Sequence, residues 1–151
     1  MIPHADQALN LLARRLTTAL VPDLKSDYAQ ADGMLTGQLM TVLAAELGYG
    51  IERRMQDIRA MQELFVAAAL QLSDEPLTQD LVRLSGLEPT SLTLNEVDAA
   101  HDELTRGLLA LHERVDLPES DSEPGRDERQ AINGMIWAYL ESHAARHQMP
   151  D

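Results

Sequence analysis

Apolar residues recur at spacings of three and four along nearly the whole chain, which is the period of an amphipathic helix. Leu9, Leu12, Leu16 and Ala19 predict a first helix from about Asp6 to Leu20, stopped by Pro22, whose ring cannot continue the hydrogen-bond ladder. Ser26 or Asp27 can cap a second helix carrying Tyr28, Ala31, Leu35, Leu39, Val42 and Leu43. Leu47-Gly48-Tyr49-Gly50 predicts a break, with Gly48 in the left-handed position past a helix end. The alternative is one unbroken helix from Asp27 to Leu72. Ile51, Met55, Ile58, Phe65 and Leu72 line the segment that follows, and Ser73-Asp74-Glu75-Pro76 ends it.

A short helix is expected from Thr78 to Ser85, closed by Gly86. Thr93-Leu94-Asn95-Glu96 then reads as a capping box, in which the Thr and Glu side chains serve each other's backbone N–H groups. The helix it opens has the most regular register in the chain: Leu94, Val97, His101, Leu104, Leu108, Leu111 and Val115. Alternating threes and fours of this kind suit left-handed bundle packing. Residues 116–125 hold two prolines, two serines and four acids and read as a flexible acidic loop. A last helix, about Asp127 to His147, presents Ile132, Met135, Ile136, Tyr139, Leu140 and His143. No strand-like alternation and no fixed repeat appear. The expectation is an all-α, four- to five-helix bundle, mostly antiparallel, forming a single domain over residues 1–151.

A second pattern lies opposite Leu35 and Leu39. Gly33, Gly37, Thr41, Ala44 and Gly48 form a narrow stripe of small side chains. An interior Gly costs a helix about 1 kcal/mol relative to Ala, so two of them point to a close approach by another backbone. That backbone can belong to the same chain or to the same helix of a second subunit. Gly134, Ala138 and Ala145 make a weaker version on the last helix.

Composition narrows the chemistry. The 151 residues contain no Cys, which excludes thiolate metal sites, disulfides and a cysteine nucleophile. The formal charge of −13 opposes phosphate backbones, so no nucleic-acid partner is expected. The longest apolar run, Leu64 to Leu70, is far short of the roughly 20 residues of a membrane span, and the first residues do not read as a secretory signal. No membrane partner is expected, and a cytoplasmic location is the default.

His101 is the sharpest candidate residue. It holds a core position in its register, and Asp98 and Glu46 are its expected polar partners in the core. Asp98-x-x-His101 is a distant echo of the Glu-x-x-His pairs of two-metal bundles, which the chain lacks. His143 and His147 have ligand spacing but sit in a last turn, where imidazole complements the helix dipole. No metal, cofactor or catalytic residue is therefore assigned. The segment Thr78 to Glu96 has the outline of a helix-turn-helix, yet no Lys or Arg lies between Arg83 and Arg106 to meet DNA. The pairs Arg14-Arg15 and Arg53-Arg54 read as solvated, with Arg53 facing Asp57 one turn on.

The stretch Leu16 to Glu46 carries Val21-Pro22-Asp23-Leu24, then Tyr28, then an Ala/Leu/Met helix ending in Ala45-Glu46-Leu47. Ile136-Trp137-Ala138-Tyr139-Leu140 through Met149-Pro150 adds a second motif. Together they resemble a family of small uncharacterised helical proteins commonly encoded beside acyl-CoA dehydrogenases and phosphotransferase-like kinases. The family usually has a basic residue where this chain has Ala45. The resemblance implies an accessory role near acyl-CoA metabolism and brings no catalytic residues with it. The function expected is thus a non-catalytic helical accessory or interaction protein, acting as a homodimer or on a protein partner. A small-molecule- or metal-binding bundle is the alternative.

Overall fold

The computed structural model describes residues 4–116 and 125–148, so most of the expected acidic loop, residues 117–124, lies outside the described residues. The fold is an all-α helical bundle with five α-helices and no strand among the described residues. They are α1 (Ala5–Arg15), α2 (Asp27–Ala69), α3 (Glu75–Ser85), α4 (Leu94–Asp116) and α5 (Arg126–Arg146). The chain divides into two compact units, Met1–Ile51 and Glu52–Asp151, and α2 contributes to both.

In the first unit, α1 loosens before Pro22 stops it. Leu16–Leu20 form a π turn, closed by the Val21 N–H donating to the Leu16 carbonyl, and Val21–Asp23 tighten into a 3-10 turn with Pro22 inside. Thr17 and Thr18 donate their hydroxyls back to the Ala13 and Arg14 carbonyls (3.1 and 2.7 Å), a competition with the ladder that suits the loosened stretch. Ser26 supplies the α2 cap, its Oγ accepting from the Ala29 N–H at 3.1 Å.

The predicted break at Gly48–Gly50 does not occur. Neither glycine has a positive φ, and α2 runs through both, as in the unbroken alternative. Glycine permits a helix to end without requiring it, and the residues on both sides have full helical turns to bond to.

The small-residue stripe of α2 is the inner face of this unit. A Cβ placed on Gly33 would come within 2.6 Å of Val21 Cγ2, and one on Gly37 would collide with Thr17 Cγ2. Ala44 is buried on the same face, while Thr41 turns its hydroxyl back to the Gly37 carbonyl at 3.1 Å. The chain's own first segment therefore covers the stripe at Gly33 and Gly37, while Thr41 and Gly48 stay exposed. The opposite, leucine-bearing face, expected to be core, is open instead. Leu35, Leu39, Val42, Leu43 and Leu47 are all exposed, as are Tyr28 and Tyr49. On α1 the buried residue is Ala13, whereas Leu12 of the expected stripe faces out.

The second unit holds the main core. Ile58, Met61, Phe65 and Ala68 of α2 meet Leu81 and Leu84 of α3, Val97, Leu104 and Leu111 of α4, and Ile132 and Ile136 of α5. Gly107 lets α4 approach: a Cβ there would collide with Leu84 Cδ1 and lie 3.4 Å from the Phe65 ring. Ser73-Asp74-Glu75-Pro76 begins α3 rather than merely ending α2. Asp74 is the cap, its Oδ1 accepting from the Leu77 N–H at 3.1 Å, and Pro76 sits in the first turn, where its missing N–H is harmless. The capping box at Thr93 is rearranged. Glu96 accepts from the Thr90 hydroxyl at 2.5 Å, and the Thr93 N–H donates to Ser91 Oγ at 3.4 Å.

Candidate functional site

The site grows from one residue that the periodicity hides. Asp57 lies four residues before Met61 and seven before Leu64, so it falls on the buried stripe of α2, and only 1% of its surface is exposed. Among the described residues it is the one buried residue of the second unit that carries a charge at neutral pH. It does not pair with Arg53 across one turn, because its carboxylate points inward to the last two turns of α5.

There Arg146 and His147 meet it. Arg146 Nε donates to Asp57 Oδ1 at 3.0 Å, and Nη2 lies 2.9 Å from the same oxygen. His147 Nε2 bonds the other oxygen, Oδ2, at 2.6 Å. His143, one turn earlier, brings Nδ1 to 3.2 Å from Oδ1, but out of line for a hydrogen bond. His143 Nδ1 and Arg146 Nη2 are consequently buried nitrogens with no hydrogen-bond partner. The His143 and His147 rings lie 4.3 Å apart, and Tyr139 stacks on His143 at 5.9 Å. Arg146 also lies over the Tyr139 ring, 5.9 Å from its centre, and its Nη1 donates to Ser142 Oγ at 2.5 Å.

His101 enters from α4. Its Nε2 is 3.9 Å from Asp57 Oδ2 and its Nδ1 4.0 Å from Asp102 Oδ1, so it is half-buried beside the cluster. Of the two expected partners, Asp98 pairs with Arg54 of α2, and Glu46 belongs to the first unit. Side-chain reach decides this: Asp98 is one turn nearer the α4 start, level with Arg54, while Asp57 stands level with His101.

The electrostatics follow from burial against one guanidinium and two imidazoles. Burial pushes the Asp57 carboxyl up, but the bonds from His147 and Arg146 and the charge of His143 outweigh it, holding the group below its ordinary 3.8. Burial lowers His101 below 6.5, against the pull of Asp57 and Asp102. Tyr139 is pushed up to about 12, first by burial and then by the Asp57 charge. The cluster thus holds a fixed anion, a hydrogen bond between His147 and that anion, and an imidazole nitrogen with no hydrogen-bond partner. Asp57, His143 and His147 place one ligand atom each within 4.8 Å of one another, close enough for a single cation.

Of this constellation, the spacing of His143 and His147 is visible in the sequence. Asp57 as their partner is not, although a carboxylate in phase with Met61 and Leu64 is the signal that marks it. No protein-family model, no curated protein and no solved structure matches this chain.

Proposed function

We propose that this chain is a helical interaction protein that pairs with a second copy of itself through the open leucine face of α2. The observation that carries the reading is that face: Leu35, Leu39 and Leu43 are each more than half exposed on a helix whose other side is already covered by its own chain. Burying a leucine stabilises by roughly 1.5–3 kcal/mol, so such a row favours association. A second copy suits it for two reasons. From Gly33 to Ala45 there is no charged residue, and residues 1–51 hold five acids and three bases, so two copies of this unit meet with little repulsion. The row is also arranged symmetrically about Leu39, with Tyr28 and Tyr49 toward its ends, as an antiparallel two-fold pairing of identical helices requires.

The resemblance of residues 16–46 to helical proteins encoded beside acyl-CoA dehydrogenases supports an accessory role near that metabolism. Duplex DNA lies outside the partner class proposed, since the remaining residues carry 20 acids against nine bases. Native mass spectrometry and light scattering test the reading. The wild-type chain is expected to be a dimer and Leu39→Glu a monomer with unchanged helix content, because Leu39 is exposed within its own chain. A wild-type chain that stays monomeric at about 100 μM, a weak-complex concentration, overturns it.

A further inference from the structure

We propose that Asp57, His143 and His147 form a binding site for one zinc ion. The three residues come from α2, α5 and the residue that caps the α5 end, all in one unit, and the carboxylate is almost wholly buried while both histidine side chains are partly exposed. That gives an anchoring anion inside and a route for an ion from outside. Two imidazoles and one carboxylate are a donor set that zinc takes with a water in the fourth position, at about 2.0–2.2 Å from each ligand atom.

The hydrogen-bond inventory favours this reading over a purely structural ion pair. An ion pair alone has no use for His143, whose Nδ1 is buried 3.2 Å from Asp57 Oδ1 without a hydrogen bond. As a ligand, that nitrogen gains its partner. Both close contacts of Arg146 fall on Oδ1, which leaves Oδ2 as the metal oxygen, with Arg146 orienting the carboxylate from behind, as outer partners of metal ligands do. His147 Nε2 and Asp57 Oδ2 stand 2.6 Å apart, the ionised carboxylate accepting the ring hydrogen. Zinc takes the place of that hydrogen, which passes to Nδ1 or to solvent, and the two atoms separate to about 3.3 Å, the edge of a tetrahedral site.

The surrounding charges permit a cation. Arg146 is the opposing one from α5, and Arg54 of α2 is matched by Asp98 of α4. Asp102 of α4 adds a negative charge beside His101, and Tyr139 is neutral. The negative end of the α5 dipole lies at His143 and His147.

Titration calorimetry with zinc chloride, at neutral pH and on the full chain, tests the site. One zinc per chain is expected, with a Kd tighter than about 10 μM. His143→Ala is expected to weaken it by on the order of 100-fold or more, while His112→Ala leaves it unchanged. Binding that persists in His143→Ala, or no saturable binding to the wild type, overturns the proposal. Cobalt substitution of the wild-type chain gives a readout independent of any variant. An intense visible spectrum of tetrahedral cobalt supports the site, and a spectrum identical to that of the aqueous ion refutes it.

Discussion

Tyr139 shows how much one buried group beside Asp57 feels its neighbours. The residue is 9% exposed, and burial pushes its hydroxyl up from 10.0 to about 12. A pKa raised on folding means that the native state holds the proton more tightly. The stabilisation is therefore complete below pH 10 and is lost as pH rises from 10 toward 12, amounting to about 2–3 kcal/mol. Urea unfolding of the wild type and of Tyr139→Phe should run parallel from pH 7 to 9 and then diverge, the wild type losing more. Parallel behaviour up to pH 11 would show that the hydroxyl reaches water. Asp57 works in the opposite direction: its lowered pKa stabilises the fold above about pH 3.8 and ceases to do so as acid protonates it. His101 stands apart from both. Its ring nitrogens are 3.9 and 4.0 Å from the facing carboxylates, too far for hydrogen bonds, and burial already disfavours its charge. His101→Leu should shift the denaturation midpoint by the equivalent of less than about 1 kcal/mol in either direction.

At the level of elements, glycines divide by what faces them. Gly107 sits where α4 closes on Leu84 and the Phe65 ring, both buried. Gly107→Ala should destabilise by about 1–3 kcal/mol through overpacking. Gly134 on α5 has no atom within 4 Å of an added Cβ. Gly134→Ala should stabilise by about 0.5–1 kcal/mol, because helix propensity is then the dominant effect. Thermal melts of the two variants beside the wild type should move in opposite directions. The same distinction explains α2. Gly33 and Gly37 are required by contact with Val21 and Thr17, whereas a Cβ on Gly48 would meet nothing nearer than Asp6 Oδ2 at 4.0 Å.

For the whole molecule, the two units differ in character. The second has a closed core drawn from four helices and most of the net charge. The first pairs α1 and its π turn with the glycine face of α2 and leaves its leucines outward. The proposed self-association therefore belongs to the first unit and the proposed zinc site to the second. Among the described residues no helix is long and apolar enough to cross a membrane.

Helical class, the α4 register and the apolar stripe of α5 could be read directly from the sequence, because a 3.6-residue period is a local property. Val97, Leu104 and Leu111 are buried where the heptad puts them, and so are Ile132, Ile136 and Tyr139. The small-residue stripe on α2 was equally legible, since small side chains at spacings of three and four share a face whatever lies opposite. Which face of α2 would be covered was not: leucines are stabilised by any apolar partner, and here the chain's own partner is a tight helical contact that only glycine and alanine admit. Continuity through Gly48 and Gly50 also needed the structure, because glycine tolerates either outcome. The cluster around Asp57 required it most. Residue 57 lies 86 to 90 positions before its partners on α5, and an aspartate one turn after Arg53 looks locally like a surface ion pair. Only the packing of α5 beside α2 turns that carboxylate inward and brings Arg146, His143 and His147 onto it.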